Sequence, residues 1–96
     1  MLTHIVCWKY KEEITETQRE EHITKLKNLP TIISDIISYN VGYDILRLDR
    51  SYDTGLVAVF PSREALDAYT VHPAHQEVVN LGRQIAAHVI SVDFLE

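Results

Sequence analysis

The segment Leu2-Thr-His-Ile-Val-Cys-Trp-Lys-Tyr10 alternates with a period of two residues. Leu2, His4, Val6, Trp8 and Tyr10 fall on one side, and Thr3, Ile5, Cys7 and Lys9 on the other. That period belongs to a β-strand. Both sides carry apolar residues, Val6 and Trp8 against Ile5 and Cys7, and a strand of this kind is normally covered on both faces. Residues 52–60 repeat the pattern, with Val57 and Val59 opposing Leu56 and Phe60.

Working outward, Thr15 followed three residues later by Gln18 is a capping-box pattern, which predicts a charged helix to about Asn28. Its apolar stripe is thin: Ile23, Leu26 and Leu29, with His22 on the flank. After Pro30 the alternation returns, and Ile37, Tyr39, Val41 and Tyr43 predict a second strand ending near Asp44. The polar run Arg47 to Ser51 reads as a loop, and residues 52–60 as the third strand. Pro61-Ser62 stops it, with Ser62 as N-cap of a helix carrying Ala65, Leu66 and Tyr69. Pro73 suits the first turn of a further helix, on which Ala74, Val78, Leu81 and Ile85 keep helical spacing. A last strand is expected over about His88 to Phe94. The order β-α-β-β-α-β, with the second helix broken at His72-Pro73, predicts one α+β domain over residues 1–96. Its expected fold is the ferredoxin-like split βαβ arrangement, a four-stranded antiparallel sheet with helices on one face. The other face, with Ile5, Cys7, Val57 and Val59, then needs a cover. A second copy of the chain in a two-fold homodimer is the simplest one.

Composition narrows the partners. Nine Lys and Arg stand against fourteen Asp and Glu, a net charge of −5 in 96 residues, which argues against nucleic acid. The N-terminus lacks the basic start and apolar run of a secretory signal, and no apolar stretch approaches the roughly 20 residues of a membrane span. The single Cys7 has no second thiol to pair with and fits a reducing compartment, so a cytoplasmic location is expected. No phosphate-cradling glycine loop, cysteine cluster or nucleophile motif is present, and neither metal nor cofactor is expected.

Chemistry concentrates in Tyr69-Thr-Val-His-Pro-Ala-His75. His72 falls where an N-cap stands and His75 on the first helical turn, where the positive end of the helix dipole disfavours an imidazolium. A neutral His75 could act as general base near neutral pH. Tyr69 shares an inward stripe with Ala65 and Leu66, and its phenol could hold a substrate carbonyl while His75 removes a neighbouring proton. The same residues also fit a capping histidine and a core tyrosine. His4 lies mid-strand beside Val6 and Trp8, and His22 and His88 show no partner in the sequence.

The opening strand, Arg50-Ser-Tyr-Asp53, Ser62-Arg-Glu-Ala-Leu-Asp-Ala-Tyr69, His72-Pro-Ala-His75 and Val92-Asp-Phe94 together resemble the stress-responsive A/B barrel (Dabb) family. The likeness runs over essentially the whole chain and implies a dimeric α+β barrel. The family includes plant stress-induced proteins and plant polyketide cyclases, which close a linear poly-β-keto thioester by aldol condensation. By that resemblance His75 would be the base and Tyr69 the carbonyl anchor, with His4 and His72 as ligand-binding candidates around the same cavity. Thr54 and Leu26 depart from the cyclases, which carry a histidine and a tyrosine there. Three readings follow: a homodimer binding an apolar, carbonyl-bearing small molecule, an aldol-type cyclase or lyase, and an assembly module with a filled core.

Overall fold

The computed structural model describes residues 1–96. Its elements are β1 (Leu2–Tyr10), α1 (Glu16–Ile32), β2 (Ser38–Tyr43), β3 (Thr54–Phe60), α2 (Arg63–Val71), α3 (Pro73–Ile85) and β4 (Ala86–Leu95). The four strands form one antiparallel sheet in the order β2-β3-β1-β4. This is the expected ferredoxin-like topology: the first strand lies inside the sheet, and the last strand returns to its free side.

The register explains both apolar sides of β1. His4 stands opposite Ala58 and Asp93, and Trp8 opposite Thr54 and Val89, all on the side facing the helices. Leu2, Trp8, Tyr10, Leu56, Ala58 and Phe60 are buried there with Leu26, Leu29, Tyr69, Val78 and Ile85 from the helices. Each large side chain so buried is worth about 1.5–3 kcal/mol. On the opposite side Ile5 faces Val57 and Val92, and Cys7 faces Gly55 and Ile90. That side has no cover within the chain, and Val57, Ile90, Val92 and Phe94 are 41%, 52%, 52% and 41% exposed.

Local sequence sets the helix starts. Thr15 and Gln18 exchange side-chain and backbone hydrogen bonds in a complete capping box. Ser62 Oγ accepts from Ala65 N–H, and His72 Nδ1 accepts from Ala74 N–H at 3.1 Å. Each cap contributes roughly 1 kcal/mol.

Three expectations need correction. The first helix does not stop near Asn28 but runs through Pro30 to Ile32. A proline so close to the end removes only one intrahelical donor, while continued burial of Leu29 and then Ile33 prolongs the apolar stripe. His22 is not on the flank of that stripe but fully buried within it. The last strand starts at Ala86, directly after Ile85, with no intervening loop.

Candidate functional site

Between the helices and the sheet, β1, α2 and α3 bring together three of the four residues singled out in the sequence. The Tyr69 ring packs on the His75 ring, with centroids 4.2 Å apart and planes tilted by 41°. His4 meets Tyr69 edge to face at 6.2 Å. His72 serves as the cap of α3 and thereby fixes the turn that carries His75. Tyr69 thus packs against both histidine rings.

Hydrogen bonds assign the protons. His75 Nδ1 lies 3.0 Å from the Thr70 carbonyl, which can only accept. In the neutral imidazole Nδ1 therefore carries the hydrogen, and Nε2 is left as a bare acceptor. Burial, with His4 and His72 nearby, lowers the His75 pKa and keeps the ring neutral at pH 7. The helix dipole suggested the same direction from sequence, but desolvation is the larger cause. Tyr69 and Tyr39 hydroxyls are 3.0 Å apart. Since one phenol donates to the other, one of the two O–H groups keeps its proton available to a further acceptor. Burial raises the pKa of both, so they remain phenols. His4 Nδ1 is hydrogen-bonded to the Asp93 carboxylate. This pairing was missed, although Asp93 interrupts the apolar run Val92 to Phe94 and faces His4 across the sheet.

A second polar cluster was also missed. Tyr10 Oη is 2.8 Å from both His22 Nδ1 and Thr54 Oγ1. Thr54 closes this network, and Leu26 lines the neighbouring cavity. Burial lowers the His22 pKa to about 4, so the ring is neutral. No sequence signal joins three residues from β1, α1 and β3. Beside it, Asp53 accepts from Tyr10 N–H and from Arg47, each at 2.8 Å. Burial pushes the Asp53 carboxyl up, but these two bonds outweigh it and hold the pKa below the usual carboxylate value.

Two cavities are lined by neighbours of the ring cluster rather than by its rings. One, of about 290 Å³, lies under α1 and α3 and is lined by Val6, Trp8, Leu26, Val78, Gly82 and Val89 among others. Val6 follows His4 on the inner side of β1, and Val78 lies one turn beyond His75 on α3. The other, of about 550 Å³, opens between α2 and β4 and includes Thr70, Asp93 and Leu66. Thr70 and Asp93 are the residues that hold His75 and His4. No group of three or more His, Cys, Asp or Glu side chains converges as a metal site. No helix is long and apolar enough to cross a membrane.

Residues 2–96 match the family described as Stress responsive A/B Barrel Domain. Olivetolic acid cyclase from Cannabis sativa is 34% identical over 74 residues, covering 75% of this chain and 73% of the cyclase. Stress-response A/B barrel domain-containing protein HS1 from Arabidopsis thaliana is 26% identical over 93 residues, covering 95% and 85%. Among solved structures, a dimeric ferredoxin-like protein of unknown function from Thermobifida fusca superposes with a TM-score of 0.90. It is 27% identical, and the match covers 99% of this chain and 90% of that one. The chain belongs to the stress-responsive A/B barrel family.

Proposed function

We propose that this family member is a homodimeric protein of the cytoplasm that binds an apolar, carbonyl-bearing small molecule between its helices and its sheet. The observation that carries the proposal is the largely apolar cavity of about 290 Å³ lined by Val6, Trp8, Leu26, Val78 and Gly82, of which Val6 and Val78 are the next inward-facing neighbours of His4 on β1 and His75 on α3. Its walls suit a hydrocarbon body. A carbonyl oxygen reaching past Val6 and Val78 would meet the spare O–H of the Tyr39–Tyr69 pair, with His4 beside it and His72 holding the turn of His75. Trp8 is the sole tryptophan and lines this cavity, so its fluorescence reports occupancy directly. Saturable quenching by 2-decanone is expected; an unchanged spectrum up to the solubility of the ketone refutes binding of this class.

The dimer rests on the uncovered apolar side of the sheet and on a similar structure described as dimeric. Light scattering after size exclusion is expected to give twice 11.1 kDa, and Ile90→Lys to return the protein to monomer. A wild-type species of 11.1 kDa refutes the pairing.

An aldol-type cyclase or lyase is the second reading, favoured by the His75 tautomer. His75 Nε2 would take the proton next to a carbonyl held by a tyrosine hydroxyl. The resulting enolate carbon would attack a second carbonyl, forming the new C–C bond, and the proton would return to the alkoxide. Incubation with linear poly-β-keto thioesters, comparing wild type with His75→Ala, tests it. Turnover above buffer that His75→Ala abolishes is expected; no turnover by wild type removes the reading for this substrate class.

A further inference from the structure

Behind the Trp8–Gly82 wall of the cavity lies a buried polar group. His22 is fully buried, yet its Nε2 has no hydrogen-bond partner in the chain. Leaving such a nitrogen unpaired is costly, and it calls for an explanation. Its neighbours supply one. Gly82, in the last turn of α3, has no side chain, and a Cβ there would stand 3.4 Å from Trp8 Nε1 and 3.5 Å from His22 Nε2. Two ring nitrogens from two different elements thus converge on one bare Cα, and Trp8 and Gly82 are themselves walls of the cavity.

Both nitrogens are donors. The indole Nε1 always carries its hydrogen. For His22 the proton follows from the Tyr10 network. A phenol is a stronger acid than an alcohol, and an imidazole nitrogen is a stronger base than a hydroxyl. Tyr10 therefore donates to His22 Nδ1 and accepts from Thr54. Nδ1 is then the acceptor, and Nε2 carries the hydrogen.

We propose that Trp8 Nε1–H and His22 Nε2–H form a two-donor cradle, opened by the absence of a side chain at Gly82, for a hydrogen-bond-accepting oxygen of the ligand. The proposal rests on the ligand-binding reading above and specifies the ligand further. His4 and Trp8 are four residues apart on one strand, about 13 Å, which is the span a ligand would cover between the ring cluster and the cradle. The ligand is accordingly elongated, apolar in its middle, and carries a ketone, ester or ether oxygen at the Gly82 end. In the free chain the His22 nitrogen touches no solvent, so a ligand oxygen would reach it from the cavity only as the Trp8 ring gives way beside the bare Cα of Gly82.

The probes are 2,7-octanedione and 1-octene, similar in length but only one with acceptors. Titrations follow Trp8 fluorescence and the single indole N–H proton resonance. The dione is expected to bind wild type more tightly than the alkene and to move the indole proton downfield, which the alkene does not. His22→Phe keeps a ring of similar size and is expected to weaken the dione about tenfold, the loss of one hydrogen bond, while leaving the alkene unchanged. Gly82→Ala fills the notch, keeps the fold, and is expected to weaken the dione more than the alkene. Equal affinity of the two probes for wild type, or equal weakening of both by His22→Phe, overturns the cradle and leaves the apolar cavity standing. Binding of neither probe overturns the cavity reading and the cradle together.

Discussion

The two ends of the inner side of β1 carry the same kinds of residue under opposite conditions. At one end His4, Tyr69 and His75 form a ring cluster bordered by open surface: His4 holds a half-exposed Asp93, and His75 is held by a backbone carbonyl. At the other end Tyr10, Thr54 and His22 form a sealed network. Burial lowers the pKa of a histidine in each cluster, but only at the open end does the neutral ring present a bare acceptor beside a groove. A histidine in a cluster with a tyrosine is thus not by itself a base. The partner that fixes its tautomer, and the access of the remaining nitrogen, separate a proton acceptor from a buried donor.

This contrast can be broken most sharply by acid. The unfolded chain protonates His22 near pH 6.5, whereas the folded chain resists until about pH 4. Between those values the unfolded state holds more protons, so stability rises with pH and is lost as pH falls through that window. The contribution of His22 is on the order of 3 kcal/mol. Urea midpoints at pH 7 and pH 4.5 should fall steeply for wild type and much less for His22→Phe; parallel behaviour would mean that His22 is not sealed.

Tyr10→Phe strips the shared hydroxyl from the sealed network and orphans both His22 Nδ1 and Thr54 Oγ1, with an expected cost of roughly 2–3 kcal/mol in urea unfolding. The matching change at the open end, Tyr69→Phe, removes one bond to the half-buried Tyr39 and should cost about 1 kcal/mol. Equal costs would erase the distinction between the ends. The smallest change has the opposite sign. Gly82→Ala replaces a glycine in the last turn of α3 and leaves only ordinary contacts at 3.4–3.5 Å. It should stabilise the protein by about 0.5–1 kcal/mol, read as a higher melting temperature. A gain in stability alongside a loss of ligand would identify Gly82 as a position where folding and binding pull apart.

Much of the architecture was legible because it is written in local periods and caps. The two-sided alternation of Leu2 to Tyr10, the Thr15–Gln18 box, Ser62 and the His72-Pro73 break each act within a few residues. The site was legible less evenly. His75 and Tyr69 lie six residues apart in a recognisable string, and their pairing follows from it. The Tyr10–His22–Thr54 network joins three elements, and no spacing along the chain encodes it. His4 and Asp93 meet through strand register, which alternation alone leaves free by steps of two. The end of α1 was misread because the local penalty of Pro30 is outweighed by burial of Leu29 and Ile33, a tertiary effect.

The junction of α3 and β4 has a mechanical consequence. Ile85 ends the helix and Ala86 begins the strand, so the single pair of dihedrals at Ala86 (φ −93°, ψ 135°) is the whole hinge. Helix and strand are rigid over lengths of several residues, and no loop exists to absorb their relative movement. Along α3, Val78 and Gly82 line the cavity, while Ile90 and Val92 on β4 look outward from the sheet. The seating of α3 on the sheet is therefore set by one residue, and the wall of the cavity and the outward side of β4 are parts of one continuous stretch of chain.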